Sequence, residues 1–462
     1  MNEPHTDETR DEAAGRRALS SVSARAFSAQ VAGTLAARVL MACNSVGVGV
    51  LVARWLGAEQ LGIYAPLNVT VALAVQIGSM GLASANTYFV AQDRRRLRRA
   101  ARISFAFALA AGALLALALT ALSASEADPF GDVPTLLFAV AAVSIPFQLT
   151  TLLGLNLFLA VGRVARLNLL DVAGQTLLLF NAVVALLLLR GGLLTLVALN
   201  TSAAVVLSLF VAWLTWRLID EEAASQHRQS GATKSEPLFR LMMRYGLKVH
   251  AQTVASLLLF RVDLLIVKYF HGAEEAGVYS VASQVALMLM LLPGVISTLL
   301  FPRVAAEGDP RGALACRVTR HTAFVMLLVC AAAVPAVFAL PRLYGASFAD
   351  AVVQSLILLP GVFLVSVGGV LAQHFSGTGL PPALPLFWTA ALVFNTALNF
   401  ACVPRYGARG AAIASAASYA LVCALIAFYF RARTGNSLRA AFVLSRRELR
   451  ELLSLGRRTR FS

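Results

Sequence analysis

The sequence predicts an all-α polytopic membrane protein, with about twelve transmembrane helices in two six-helix lobes, and three observations predict it. Hydrophobic residues make up 58% of the chain against 13% charged, with a mean hydropathy of +0.74, beyond what a globular core accounts for. Twelve apolar runs are each long enough to cross roughly 30 Å of hydrocarbon as helices. The third observation is duplication: LGAEQLGIY at residues 56–64 recurs as HGAEEAGVY at 271–279, 215 positions later, and the same offset pairs Arg25 with Arg240 and Arg190 with Arg405. Lipid-exposed backbone must satisfy its own hydrogen bonds, and the runs are about twice the length of a barrel strand, so they are helices.

Taken in order, residues 1–27 form a polar tail of mixed charge. It has no short apolar stretch followed by a small-residue cleavage site, so the first apolar run is expected to serve as the anchor. The first lobe, 28–216, holds spans at about 28–53, 63–91, 101–124, 134–159, 167–189 and 193–216. A linker follows at 217–246, polar through Glu236 and amphipathic from Pro237 to Tyr245. The second lobe, 247–430, holds spans at about 247–270, 277–301, 320–340, 352–376, 383–403 and 410–430, and a basic tail closes the chain at 431–462. Because each half contains an even number of spans, both enter the membrane in the same direction. The repeat is therefore parallel, related by an axis along the membrane normal, an arrangement that transporters build around a central midplane site.

The net charge of +16 would suggest nucleic acid in a soluble chain. Here most of the 39 lysines and arginines fall in the tails and in loops on the side of the N-terminus, which orients both termini toward the cytoplasm and leaves no nucleic-acid partner to expect. The cluster from Asp93 to Arg102 then joins spans 2 and 3, where such a run holds topology and touches anionic lipid heads. The five cysteines have no paired spacing and read as free thiols. No phosphate-cradling glycine loop and no His/Cys metal spacing is present, and the outer loops are too short to fold as a catalytic domain. Neither an enzyme nor a cofactor nor a metal is expected.

The pattern ARWLGAEQLGIYAPL at 53–67, the stretch FRVDLLIVKYFHGAEEAGVYSVA at 260–282, LFPR at 300–303 and the twelve-span layout resemble the oligosaccharide flippases of polysaccharide biosynthesis. That family lies within the multidrug/oligosaccharidyl-lipid/polysaccharide transporter superfamily, and the resemblance covers most of residues 20–430. It implies alternating access between two lobes of a bacterial inner-membrane protein, moving an undecaprenyl-diphosphate-linked glycan from the inner to the outer leaflet. The pathways implied are those of O-antigen, lipopolysaccharide and exopolysaccharide, with glycosyltransferases or a polysaccharide polymerase as partners beside the membrane lipids.

Ionised groups inside spans are costly and need a reason. Arg38 and Arg261 are candidate substrate-binding residues of a cationic cavity, because guanidinium grips phosphate oxygens in a bidentate geometry. On an ideal helix His250, Arg261 and Lys268 share one face of span 7, a basic stripe, while Arg38 shares a face of span 1 with Thr34, Ser45 and Gly49. The plainer alternative makes Arg261 an ion-pair partner and lets His250 and Lys268 snorkel to the interface. Asp263 points away from Arg261 and reads as a structural acid, an ion-pair candidate against a neighbouring helix. Asp171 in span 5, with Asn168 and Gln175 on its face, either binds a coupling proton or sodium ion or neutralises Arg38. The amides Gln76, Asn86, Gln148, Asn156, Gln284, Gln373, Asn395 and Asn399 either meet sugars or tie helices together. The competing function is a multidrug antiporter, whose site should be anionic or aromatic to hold organic cations. A passive scaffold would have no reason to keep buried arginines.

Overall fold

The computed structural model describes residues 6–125, 133–225, 238–307, 309, 312–377, 381–444 and 448. Among the described residues the protein is helical throughout, with no strand. The first half runs through α1 (Thr6–Gly78), α2 (Leu82–Gln92), α3 (Leu97–Ser123), α4 (Thr135–Ala142), α5 (Ser144–Ala160), α6 (Val164–Val183) and α7 (Leu193–Ser225). The second half runs through α8 (Leu238–Leu259), α9 (Val262–Leu289), α10 (Leu291–Glu307), α11 (Ala313–Val337), α12 (Leu340–Tyr344), α13 (Asp350–Gly377), α14 (Ala383–Thr434) and α15 (Leu438–Phe442).

Among the described residues, nine helical runs are long and apolar enough to cross a membrane. Three of these are divided by a glycine at positive φ: Gly57 in α1 (85°), Gly272 in α9 (81°) and Gly407 in α14 (55°). Dividing them gives twelve segments, of which the ten-residue piece 262–271 completes a crossing only together with α8, in two six-helix lobes. Gly57 and Gly272 stand at the same place in the two copies of the repeat, and a residue with a Cβ is strained in that conformation.

Three expectations change in detail. The loop between the first two spans is not a loop: α1 is helical on both sides of the single non-helical residue Gly57. The second span, expected to run unbroken over 63–91, is interrupted at Ser79–Gly81, where Met80 and Gly81 adopt φ of 44° and 77°. Span 7 is interrupted at Phe260–Arg261, between α8 and α9. Over the expected linker 217–246, α7 stays helical to Ser225 and α8 begins at Leu238; residues 226–237 lie outside the described residues. The same holds for 451–462 of the basic tail.

The two lobes meet where α1 crosses α9. A Cβ on Gly62 would overlap the Ala273 carbonyl, and a Cβ on Gly277 would overlap the Ala58 carbonyl. Gly62 and Gly277 are repeat equivalents, as are Ala58 and Ala273. The contact is therefore its own symmetry mate, and the pseudo-twofold axis passes through it. A second glycine crossing joins the lobes elsewhere: a Cβ on Gly246 would sit 2.9 Å from the Gly81 carbonyl carbon and oxygen. Beside it Tyr88 of α2 stacks on Tyr245 of α8 with centroids 4.4 Å apart, and His250 meets the Ile77 carbonyl at 3.2 Å.

Each lobe packs its own core. Ile145, Leu149, Leu153 and Leu196 are fully buried in the first, and Val267, Tyr279, Val362 and Phe430 in the second. The outer faces are apolar too, with Leu117 and Leu188 each 71% exposed, as lipid-facing surface requires.

Backbone against backbone leaves no soft neighbour to yield at the α1–α9 crossing. Gly62→Ala or Gly277→Ala is expected to cost about 1–3 kcal/mol or more through overpacking. Gly369→Ala, with nothing within 4 Å of its would-be Cβ, should be near neutral. Thermal unfolding of the detergent-solubilised variants, followed by size-exclusion fluorescence, checks the difference; equal losses at all three sites would contradict it.

Candidate functional site

Two cavities adjoin at the centre of the bundle. One, of about 460 Å³, lies between the lobes and is lined by Ser45 and Gly49 of α1, Arg261, and Ser280, Ser283 and Gln284 of α9. The other, of about 450 Å³, lies within the first lobe and is lined by Gln148 and Thr151 of α5, Asp171 of α6, and Asn200 and Thr201 of α7. Tyr64, Asn68, Gln175 and Leu178 line both and form the wall between them. Among the lining residues, each cavity has one acidic or basic side chain: Arg261 in the first and Asp171 in the second.

Arg261 owes its place to the helix break. It is the N-cap of α9, with φ −134° and ψ −24°, so the chain leaves α8 and restarts at Val262. A restarted helix presents unpaired amides and the positive end of its dipole, which adds to the field of the guanidinium. Gln284 bridges the opposite wall: its amide donates to the Ser45 hydroxyl at 3.0 Å, and its carbonyl accepts from the Tyr344 hydroxyl at 3.1 Å.

Asp263 is buried two residues further on and faces the second-lobe interior. Its carboxylate accepts from the Tyr279 hydroxyl at 2.5 Å, the Ser415 hydroxyl at 2.8 Å and the Leu264 amide at 2.8 Å. Asn395 donates to Ser415 at 3.3 Å, and Asn399 donates to the Asn395 side chain at 3.0 Å. These hydrogen bonds tie α9 to α14. The ion pair expected of Asp263 is replaced by hydroxyl and amide donors, since a buried carboxylate is satisfied by directed hydrogen bonds as well as by a cation. The first lobe carries a related knot, in which Asn200 donates to the Tyr64 hydroxyl at 3.1 Å and Asn181 donates to Asn200 at 3.1 Å. Tyr64 with Tyr279, and Asn200 with Ser415, are repeat equivalents.

The structure does not bring together the other residues that the sequence placed with Arg261. Arg38 is exposed on α1 and lines neither cavity; it acts on Asp171 through space. His250 lies on α8 beyond the break and is engaged with Ile77, and Lys268 is half-buried on α9 outside both cavities. The basic stripe is therefore discontinuous. An ideal-helix projection fails once the helix is interrupted at Phe260–Arg261.

The family model for polysaccharide biosynthesis proteins matches residues 29–306. The chain belongs to that family. No curated protein matches it in sequence. Among solved structures it is similar to an inward-facing multidrug resistance MATE family transporter of the MOP superfamily, with TM-score 0.67, 14% identity, and coverage of 88% of this chain and 98% of the other. It is also similar to the lipid II flippase MurJ in an inward closed conformation, with TM-score 0.65, 14% identity and 87% of each chain covered. A third is a MOP superfamily transporter from Pyrococcus furiosus Vc1, with TM-score 0.62, 16% identity, and coverage of 88% and 94%. At these identities the likeness is one of fold.

In this polysaccharide biosynthesis family member, two of the eight sequence-selected amides, Gln148 and Gln284, reach a cavity. Asn86 and Asn395 hold helices together instead, Asn86 donating to Ser104 at 2.9 Å, while Asn399 donates to Asn395 on its own helix. The sequence reading passed over Tyr64, Asn68, Asn200, Ser280 and Ser283. The repeat offset could have found Tyr64 and Asn200, because it pairs them with two members of the Asp263 knot.

If Asp263 is held by the Tyr279 and Ser415 hydroxyls, Tyr279→Phe and Ser415→Ala should each cost about 1–3 kcal/mol, because a buried acceptor loses its donor. Combining either with Asp263→Asn should give less than the sum of the separate losses. A double-mutant cycle on denaturation in detergent checks this, and full additivity would show that the contacts carry no coupling.

Proposed function

We propose that the protein is a flippase for a diphosphate-linked glycan lipid, turning it across the bacterial inner membrane by alternating access for surface polysaccharide biosynthesis. One observation carries the reading: the inter-lobe cavity, on the pseudo-twofold side of the α1–α9 crossing, has Arg261 as its single acidic or basic lining residue, surrounded by serines and amides. A lone guanidinium in a low-dielectric, hydroxyl-lined cavity suits a diphosphate. Membership of the polysaccharide biosynthesis family and a fold shared with a lipid II flippase support the same substrate class. The prenyl chain would stay in lipid while the lobes rock about the glycine crossing. Asp171 is the coupling candidate, and Arg38 the cation that balances it.

In this reading Arg261→Ala abolishes glycan display while protein abundance stays near normal, and lysine restores activity only in part because the bidentate fork is lost. Arg38→Ala, away from both cavities, should have the smaller effect. Full glycan display by Arg261→Ala would remove the main support.

The orientation follows from the charge distribution, with Arg94–Arg99 and both termini cytoplasmic. In intact cells an impermeant thiol reagent should label Glu274→Cys and spare Gln92→Cys. The reverse pattern would invert the topology and the direction of transport with it.

A second reading, a multidrug antiporter for organic cations, is favoured by Asp171 as the single acidic or basic lining residue of the first-lobe cavity, which Tyr64 also lines. Gradient-driven uptake of an organic cation into vesicles, lost in Asp171→Asn, would select that reading over the flippase.

A further inference from the structure

The first-lobe cavity is not needed to hold a diphosphate, yet it equals the inter-lobe cavity in size and shares a wall with it. Its polar lining is made of groups that both donate and accept: Gln148, Thr151, Asn200, Thr201 and the Tyr64 hydroxyl. Several have capacity to spare. The Gln148 amide donates to Ser144 at 2.8 Å, leaving its carbonyl oxygen open, and the Thr151 hydroxyl, itself buried, has no hydrogen-bond partner. Asp171 makes no hydrogen bond among the described residues, so both carboxylate oxygens are available as acceptors. Leucine and valine side chains form the rest of the wall and fit the C–H faces of a sugar ring.

We infer that this cavity is a glycan subsite that admits neutral and amino sugars and rejects acidic ones, with Asp171 setting the selectivity. The inference rests on the flippase reading. Tyr64, Asn68 and Gln175 line both spaces, so a molecule whose diphosphate lies against Arg261 has the first-lobe cavity beside it. Sugar hydroxyls donate to the Asp171 carboxylate, and an ammonium on an amino sugar is attracted to it. A uronate carboxylate meets a like charge; no cationic side chain lines this cavity, and Arg38, which acts on Asp171 from outside it, offsets that charge only in part. In a partly desolvated site such repulsion amounts to about tenfold or more in affinity. Specificity then comes from a repulsive element as much as from attraction. The same chain thus presents opposite charges to the two ends of one substrate, positive for the diphosphate and negative for the sugars.

The test uses the full-length protein in lipid nanodiscs and equilibrium binding of size-matched, lipid-free probes: the N-acetylglucosamine disaccharide, its deacetylated diamine and a digalacturonate. Wild type should bind the first two at least about tenfold more tightly than the third. Asp171→Asn should remove most of that difference, and Gln148→Lys, which sets a cation against the Asp171 charge on the same wall, should reduce it likewise even if the Asp171 variant fails to fold. Equal binding of all three probes by wild type, or an unchanged ratio in both variants, overturns the inference. So does the absence of disaccharide binding alongside Asp171-dependent binding of tetraphenylphosphonium. Geranyl diphosphate, measured separately, judges the flippase reading. Its binding should be lost in Arg261→Ala with the disaccharide ratio intact, and equal binding by wild type and Arg261→Ala overturns that reading without touching the sugar ratio.

Discussion

The structure depends on one steric constraint, the crossing of α1 and α9 at Gly62 and Gly277. Each glycine lies against the carbonyl of the other repeat's alanine, Ala273 or Ala58, so the two backbones touch with no side chain between them. In lipid the hydrophobic effect gives helices little reason to associate, and close van der Waals approach through small residues does that work. The approach is symmetric because the residues are repeat equivalents. Everything else is placed relative to it: Gly57 and Gly272 break the chain a few residues before the contact, and the inter-lobe cavity opens beside it.

Around that contact the charges are sorted by local backbone. Arg261 and Asp263 are neighbours in sequence but serve different spaces, because α9 begins between them. Arg261 caps the helix and faces the inter-lobe cavity, whereas Asp263 turns into the second lobe and is consumed by Tyr279, Ser415 and the Leu264 amide. A carboxylate with three donors is locally satisfied and does not need the guanidinium. The guanidinium lines the cavity while still acting on Asp263 through space. The first lobe has no acid at the corresponding place, where Val48 stands, and keeps Asp171 on α6 instead, facing open volume. The pseudo-symmetric framework therefore carries an asymmetric field.

The sequence by itself determined the fold class, the twelve crossings and the duplication. Hydropathy over twenty residues is a local quantity, and a 215-residue offset survives in the identity of GAExxG and the following tyrosine. It also located Arg261 and Asp171, since an ionised group in an apolar run is conspicuous without any knowledge of its neighbours. Tertiary structure decided the rest. The interruptions at Met80 and at Phe260–Arg261 carry no proline, and the stripe of His250, Arg261 and Lys268 was drawn on a helix that the packing of α8 and α9 does not leave whole. The partners of Asp263 come from Tyr279, 16 residues away, and Ser415, 152 residues away. Sequence periodicity assigns Arg38 a helical face, but whether that face meets a cavity depends on where α6 lies against α1. Periodicity fixes a residue's angle on its own helix, and only packing between helices fixes what that angle points at.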